Sequence, residues 1–228
     1  MPLLLLIALL LVVVPVVMLF VFGMVVLQSA GAVLTIPRQL WEMGWDRRTR
    51  RNHALEHATV NVLEERFGPQ RMAGSAGADG FTLLAVPFSP DVVLQAAVEG
   101  RQRLLHGERR LAIHGHCGTS MVSSTFLLSV VFLGVLFFGG ALSVGSVLGV
   151  FVLAALLGKP LGLWVQQYVT TSRDVEGTAI DEVLPSMPAP MMLFGMLASG
   201  RPLARNYFVR TRKAPEAILV EVRRVGEG

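Results

Sequence analysis

The chain has 228 residues, of which 53% are hydrophobic, and a formal net charge of +4. This apolar fraction and a mean hydropathy of +0.58 exclude an ordinary soluble domain, in which about 45–50% of residues are apolar. The positive charge does not indicate a nucleic-acid partner, because no nucleic-acid-binding module accompanies it. The single cysteine, Cys117, excludes an internal disulfide and so gives no indication of an oxidising compartment.

Residues 2–28 form an uncharged, apolar segment near the N-terminus. A membrane-spanning helix needs about 20 such residues, so we predict an N-terminal transmembrane anchor over residues 1–30. The alternative is a signal peptide, for which Ala30, Gly31 and Ala32 would supply the cleavage site. A retained anchor is favoured, because the segment lacks a basic start and exceeds the apolar length of about 7–15 residues found in signal peptides.

A second apolar stretch predicts a transmembrane helical hairpin over residues 120–166. Residues 121–141 and 143–165 are each long enough for one span, and the link between them is uncharged. Arginines follow the first span and flank both sides of the hairpin, and basic loops remain on the cytoplasmic side. We therefore predict a multi-pass protein of the inner (plasma) membrane, in contact with the lipid bilayer. Its N-terminus would lie outside, and its main domain and C-terminal tail, residues 167–228, in the cytoplasm.

The predicted fold class is an α-helical membrane protein with three transmembrane helices and a small α+β cytoplasmic domain over residues 38–117. The predicted elements of this domain are a helix over residues 50–67, a flexible loop over 73–80, a strand over 81–86, a helix that begins at Ser89 and ends near His106, and a short strand over 111–113. In the tail, residues 187–200 predict an interfacial helix, and residues 217–225 alternate as a strand does.

The most specific motif is His-Ala-Leu-Glu-His at residues 53–57, within the first predicted helix of the domain. Residues four apart share one face of a helix, so His53 and His57 can present two imidazoles to one metal ion. Glu56 lies beside them and could act as a general base, in the H-x-x-E-H arrangement of two zinc ligands and a catalytic glutamate. The alternative is that both histidines are interfacial helix residues and that Glu56 pairs with a neighbouring arginine.

A second cluster, His114, His116 and Cys117, follows the short strand predicted over residues 111–113. A catalytic zinc needs a third protein ligand, commonly His, Cys or a carboxylate. His114 and Cys117 are the first candidates, His116 comes next, and Glu64, Glu65 and Glu108 remain as further candidates. The alternative is a glycine-rich turn that leads into a membrane span, with Cys117 as a small buried thiol.

These residues also carry a family resemblance. The elements H-A-L-E-H-A-T at residues 53–59 and H-x-x-C-G-T at residues 114–119 resemble an uncharacterised family of bacterial membrane proteins, a domain of unknown function, over roughly residues 45–170. The resemblance implies that His53, Glu56, His57, His114 and Cys117 belong to one site, and it implies no established activity. The resemblance to inverzincin metallopeptidases is confined to the five-residue motif, and their distant glutamate ligand has no evident counterpart here.

We therefore predict a membrane-anchored metal-binding protein, of which the leading interpretation is a zinc-dependent hydrolase of the peptidase type. Glu56 would be the base, and the metal ligands would come from His53, His57, His114 and Cys117. If all four ligands bound the metal, the site would be closed and structural, with no position for a reacting water. A third hypothesis is an accessory or scaffold subunit of a larger membrane complex, which would have other membrane-protein subunits as partners.

Overall fold

A computed structural model of the chain describes residues 2–70, 72–115, 117–138, 143–172, 174–187 and 205–214. The helices are α1 (Pro2–Trp45), α2 (Arg47–Phe67), α3 (Pro90–Leu105), α4 (Gly118–Phe138) and α5 (Val144–Val165). A 3-10 turn (Arg109–Ala112) precedes α4, and a π-helical segment (Gln166–Thr170) continues α5. The strands are β1 (Ala73–Gly77), β2 (Gly80–Val86), β3 (Thr178–Pro185) and β4 (Arg205–Lys213).

Within the described residues, three helices are long and apolar enough to cross a membrane. The qualifying stretches are Leu11–Trp45, Met121–Phe138 and Leu148–Thr170. Large apolar side chains lie exposed along α1 and α5, such as Leu19, Phe20 and Leu156, each more than half exposed. An exposed apolar surface of this extent marks a site of contact with lipid or another protein. The finding supports membrane association and agrees with the three predicted spans.

Helix α1 is longer than the predicted anchor, since it continues without a break from Pro2 to Trp45. The extension contains Arg38 and Glu42, which form an ion pair one helical turn apart at 2.8 Å. Pairs at this spacing weakly stabilise an exposed helix. The rings of Trp41 and Trp45 stack on each other with centroids 5.2 Å apart. Helix α1 ends at Trp45, directly before Asp46.

The remaining elements form one α+β unit in which helices cover a sheet. The described strands form an antiparallel sheet in the order β1-β2-β4-β3. Helices α2 and α3 pack against each other, α2 also contacts β1 and β2, and α3 contacts β3. Gly100 of α3 lets the two helices approach closely, because a Cβ there would lie 3.0 Å from Ala58. The buried core joins α2, α3 and the sheet, and includes Ala54, Leu55, Phe81, Leu83, Val93 and Val209.

Two predictions for the α+β unit are wrong. Residues 73–77 are not loop but strand β1, which forms a hairpin with β2 through Ala78 and Asp79. Small residues have little strand preference, so pairing with β2 decides the conformation there. The short strand predicted over residues 111–113 is also wrong, because Arg109–Ala112 form a 3-10 turn. Side chains of α2 donate hydrogen bonds to the carbonyl groups of Leu111, Ala112 and Ile113. These carbonyl groups therefore need no partner from a neighbouring strand.

The C-terminal tail contributes to the same sheet as the preceding domain. Strand β4 pairs with β2 on one side and with β3 on the other, so residues 178–213 supply half of the described strands. The strand predicted over residues 217–225 lies outside the described residues. The same holds for the interfacial helix predicted over residues 187–200, except for Met187, which is exposed and lies after the end of β3.

Candidate metal centre

The candidate site is built on α2, which begins sharply after α1. Asp46 caps the helix, and its carboxylate accepts hydrogen bonds from the backbone N–H groups of Arg48 and Thr49, both at 3.1 Å. Gly68 ends the helix with a φ of 81°, a conformation that glycine adopts without strain. Residues 52–60 are buried on all sides, so the polar groups of this helix need partners inside the protein.

Three potential metal ligands converge at this buried part of α2. One ligand atom each from His53, His57 and Cys117 lie within 4.8 Å of one another. The two imidazole ring centroids are 4.4 Å apart, and the Cys117 Sγ lies 3.4 Å from the His53 Nε2. Cys117 directly precedes α4, so the site joins α2 to the start of an apolar helix. This group could hold a metal ion.

Backbone carbonyl groups fix the orientation of both imidazole rings. The His53 Nδ1 donates to the Thr170 carbonyl at 3.0 Å, and the His57 Nδ1 donates to the Ala112 carbonyl at 2.8 Å. Because a carbonyl only accepts, each Nδ1 carries the proton and each Nε2 offers a lone pair. The His57 Nε2 is buried and has no hydrogen-bond partner among the described residues. Metal-binding histidines are held in this way by a hydrogen bond to the other ring nitrogen.

The electrostatic environment keeps both imidazoles neutral. Burial lowers the pKa of His53, and burial together with the neighbouring His53 lowers the pKa of His57 well below its ordinary value. A histidine binds a metal ion through its neutral form. The burial that disfavours a charged imidazole therefore keeps both ligands available at neutral pH.

Glu56 lies on the same buried part of the helix and faces a cavity next to the ligands. Its side chain is 4% exposed, and burial raises the pKa of its carboxyl group to about 8. Its Oε2 has no hydrogen-bond partner within the described part of the chain. The cavity has a volume of about 140 Å³, and Glu56, His53 and Cys117 line it together with residues of α1, β1 and α4. A buried carboxyl group without a partner is costly unless it has a role.

Among the described residues, the other predicted ligands do not belong to this group of three. The His114 Nε2 donates to the Glu64 carboxylate at 3.2 Å, and the His114 ring centroid is 6.2 Å from that of His57. His114 is therefore next to the site but outside the group of three ligands. His116 lies outside the described residues. Glu65 and Glu108 both form ion pairs with Arg103, so neither provides a ligand to the candidate metal centre.

Several residues that support the site were not predicted. Asn61 donates to the carbonyl groups of Leu111 and Ile113 at 3.0 and 3.1 Å, and so fixes the segment that leads to Cys117. The only signal for Asn61 in the sequence is its position four residues after His57, on the same face of the helix. The Thr170 carbonyl, which orients His53, gave no signal because every residue has a carbonyl group.

Gly74 of β1 gives a first test of this geometry. A Cβ at position 74 would overlap the Glu56 carboxylate, so Gly74→Ala should displace that side chain and lower the free energy of unfolding by about 1–3 kcal/mol. Gly77→Ala in the same strand is the matched control, because a Cβ there meets nothing within 4 Å. Thermal unfolding of the two purified variants measures the difference. Equal stability of both would contradict the described position of Glu56.

Comparison with known proteins places the chain in a family. Residues 48–183, more than half of the chain, match a domain of unknown function (DUF6391), and the chain belongs to this family. An uncharacterized protein of Picosynechococcus sp. is 32% identical over 140 residues, which cover 54% of this chain and 65% of the relative. The chain thus spans less than two thirds of that relative. No solved structure matches the chain.

Proposed function

We propose that this protein is a membrane-anchored, zinc-dependent hydrolase of the peptidase type. One observation carries the proposal: His53, His57 and Cys117 converge beside a cavity of about 140 Å³ that the buried Glu56 also lines. Three protein ligands with space for a reacting group are the pattern of a catalytic zinc site, whereas structural sites use four. The family match describes no activity, so the argument rests on the chemistry of these residues.

The ligand set favours zinc over hard cations. Two neutral imidazoles and a thiolate are ligands that zinc accepts readily in tetrahedral sites, and a hard cation such as Mg²⁺ prefers oxygen. A bound zinc ion supplies Lewis acidity, which lowers the pKa of water and polarises a carbonyl group. Glu56 would hold the attacking water and accept its proton, since it lines the same cavity as His53 and Cys117 and its Oε2 lacks a hydrogen-bond partner within the described part of the chain. A zinc ion at this centre would lower the pKa of the Glu56 carboxyl group from about 8 and so favour the ionised form that a base requires.

The cavity also suggests where a substrate would approach. Its wall includes Gln39, Leu40 and Met43 of α1 and Val122 near the start of α4. These residues lie at the cytoplasmic ends that we propose for two membrane spans. The other wall is formed by Gly74, Ser75 and Ala76 of β1. A substrate would therefore reach the site at the level of the membrane surface.

Removal of the metal tests the proposal directly. We expect the purified full-length protein in detergent to contain about one equivalent of zinc, since three ligands form one centre. A pool of fluorogenic peptides should be hydrolysed, 1,10-phenanthroline should abolish the hydrolysis, and added zinc should restore it. Elemental analysis and the peptide assay measure both quantities. A protein without stoichiometric metal, or hydrolysis that chelation does not change, would contradict the proposal.

We propose the inner (plasma) membrane as the location, with the lipid bilayer as the partner of the three apolar helices. The N-terminus would lie outside and the α+β unit inside, since arginines concentrate on the sides of the spans that this topology assigns to the cytoplasm. Nucleic acid is not among the proposed partners.

Cysteine labelling in whole cells tests the topology. A cysteine introduced next to Met1 should react with a membrane-impermeant maleimide, and one introduced next to Gly228 should react only after the membrane is permeabilised. The unmodified chain, which retains Cys117, gives the background. Labelling next to Gly228 in intact cells would reverse the topology and place the metal centre outside the cytoplasm.

A further inference from the structure

We propose that a second site on the α+β unit binds a phosphate-bearing anion, and that the headgroup of an anionic phospholipid fills it. The site is a pocket of about 320 Å³, separate from the metal centre. It lies between the start of α2, the turn that precedes β3, and the end of β4. The charged side chains that line it are Arg48, Arg51, Asp79, Arg212 and Lys213.

The charges of this pocket favour an anion. Four of the lining side chains are cationic, and Asp79 is the single carboxylate in the wall among the described residues. Arg212 pairs with Asp181 at 3.1 Å. Arg48 and Lys213 are exposed and form no ion pair within the described part of the chain. Both can therefore turn toward a ligand, and cationic side chains recognise phosphate oxygens through charge-assisted hydrogen bonds.

Arg51 is fixed in a position to receive such a ligand. Its Nε donates to the Asp174 carbonyl at 2.8 Å and its Nη2 donates to the Asp174 carboxylate at 2.6 Å. The Arg51 side chain is only 17% exposed, so the guanidinium group has little conformational freedom left to lose when a ligand binds. A Cβ at position 177 would lie 2.7 Å from the Arg51 Nη1, so glycine at this position leaves room for the Arg51 side chain in the pocket wall. A preorganised donor binds an anion at a smaller entropic cost than a mobile one.

The size and place of the pocket indicate which phosphate compound it takes. Small-molecule pockets range over about 300–1,000 Å³, so 320 Å³ suits a phosphate with a glycerol group better than a nucleotide. Arg48 follows the stacked Trp41 and Trp45 by only a few residues. Tryptophans of this kind mark the membrane–water interface, where anionic headgroups lie. The choice of a lipid source rests on the proposed membrane insertion, and recognition of phosphate itself does not.

Calorimetric titration of the full-length protein in a non-ionic detergent tests the site with three probes. Dihexanoyl phosphatidylglycerol should bind, dihexanoyl phosphatidylcholine should bind more weakly, and inorganic phosphate should compete. In the double variant Arg48→Gln/Lys213→Gln, the affinity for phosphatidylglycerol should fall about 10- to 100-fold, because two charge-assisted contacts are lost. Inorganic phosphate that binds as tightly as the lipid would support the phosphate site and identify a free anion as its ligand.

The matched control is Arg66→Gln/Arg205→Gln, which removes two exposed arginines from the far ends of the same helix and strand. It should bind phosphatidylglycerol as the unmodified protein does. Failure of the unmodified protein to bind either phosphatidylglycerol or phosphate would overturn the proposal, as would an equal loss of affinity in the control. The titration needs no hydrolysis and no metal, so its result is independent of the proposed enzymatic function.

Discussion

Glu56→Gln should lower the rate of peptide hydrolysis by about 10²- to 10⁴-fold, as expected when a general base is removed. The substitution keeps the size of the side chain and removes its capacity to accept a proton. The metal content should stay near that of the unmodified protein, because His53, His57 and Cys117 would still hold the ion. Hydrolysis of fluorogenic peptides and elemental analysis of the same preparation measure both effects.

Glu65→Gln is the control for this prediction. Glu65 is a carboxylate on the same helix that pairs with Arg103 and does not line the cavity, so its loss should leave hydrolysis unchanged. A different outcome would identify a structural centre: if Glu56→Gln loses the metal, the unpartnered Glu56 Oε2 is a fourth ligand. The site would then be closed and would not catalyse hydrolysis.

The substitution His53→Ala/His57→Ala should remove the bound metal altogether. One thiolate cannot retain a zinc ion in competition with buffer, so the content should fall from about one equivalent to none. A bound metal would stabilise the folded state by about 2.7 kcal/mol when its concentration is about 100 times its Kd. The melting temperature should therefore fall, and a chelator should lower it no further. Elemental analysis and thermal unfolding with and without chelator measure these changes.

Two more variants separate the ligands from their neighbours. Cys117→Ser should lower the metal content, whereas His114→Ala should leave it intact, because His114 donates to Glu64 and lies outside the group of three. His106→Ala is a control, since His106 caps α3, its ring hydrogen-bonds the Gln102 carbonyl, and it does not belong to the group of three ligands. Full metal content in His53→Ala/His57→Ala would refute the centre as described.

The sequence predicted the helical half of the site because its residues are close in the chain. His53, Glu56 and His57 lie within two turns of one helix, and helical spacing alone places both imidazoles on one face. Cys117 was among the predicted ligands, yet the sequence offered no way to choose between it and His114, three residues away. That choice depends on Glu64, which pairs with His114, and on Asn61, which fixes the segment leading to Cys117. Contacts between residues so far apart in the chain leave no periodic pattern in the sequence from which they could be predicted.

The apolar helices, α3 and strand β2 were also predicted from local patterns, whereas strands β1, β3 and β4 were not. Strand β1 consists of Ala, Gly and Ser residues, and nothing in its composition favours a strand. Its conformation follows from pairing with β2 and from the need for Gly74 against the Glu56 carboxylate. Strand β4 pairs with β2 between residues about 120–130 positions apart in the chain, a contact that no local pattern can indicate.

The hairpin of α4 and α5 delivers one group to the metal centre from each of its ends. Cys117 precedes α4, and Thr170, whose carbonyl orients His53, ends the π-helical segment after α5. In the proposed centre, folding of these two helices would bring Cys117 and the Thr170 carbonyl to His53 and His57, and two ligands alone hold zinc weakly. Metal loading would then be a late event in maturation that follows folding of the hairpin. Under the proposed function, a newly synthesised chain would acquire hydrolytic competence only after this step, which would protect other polypeptides during its biogenesis.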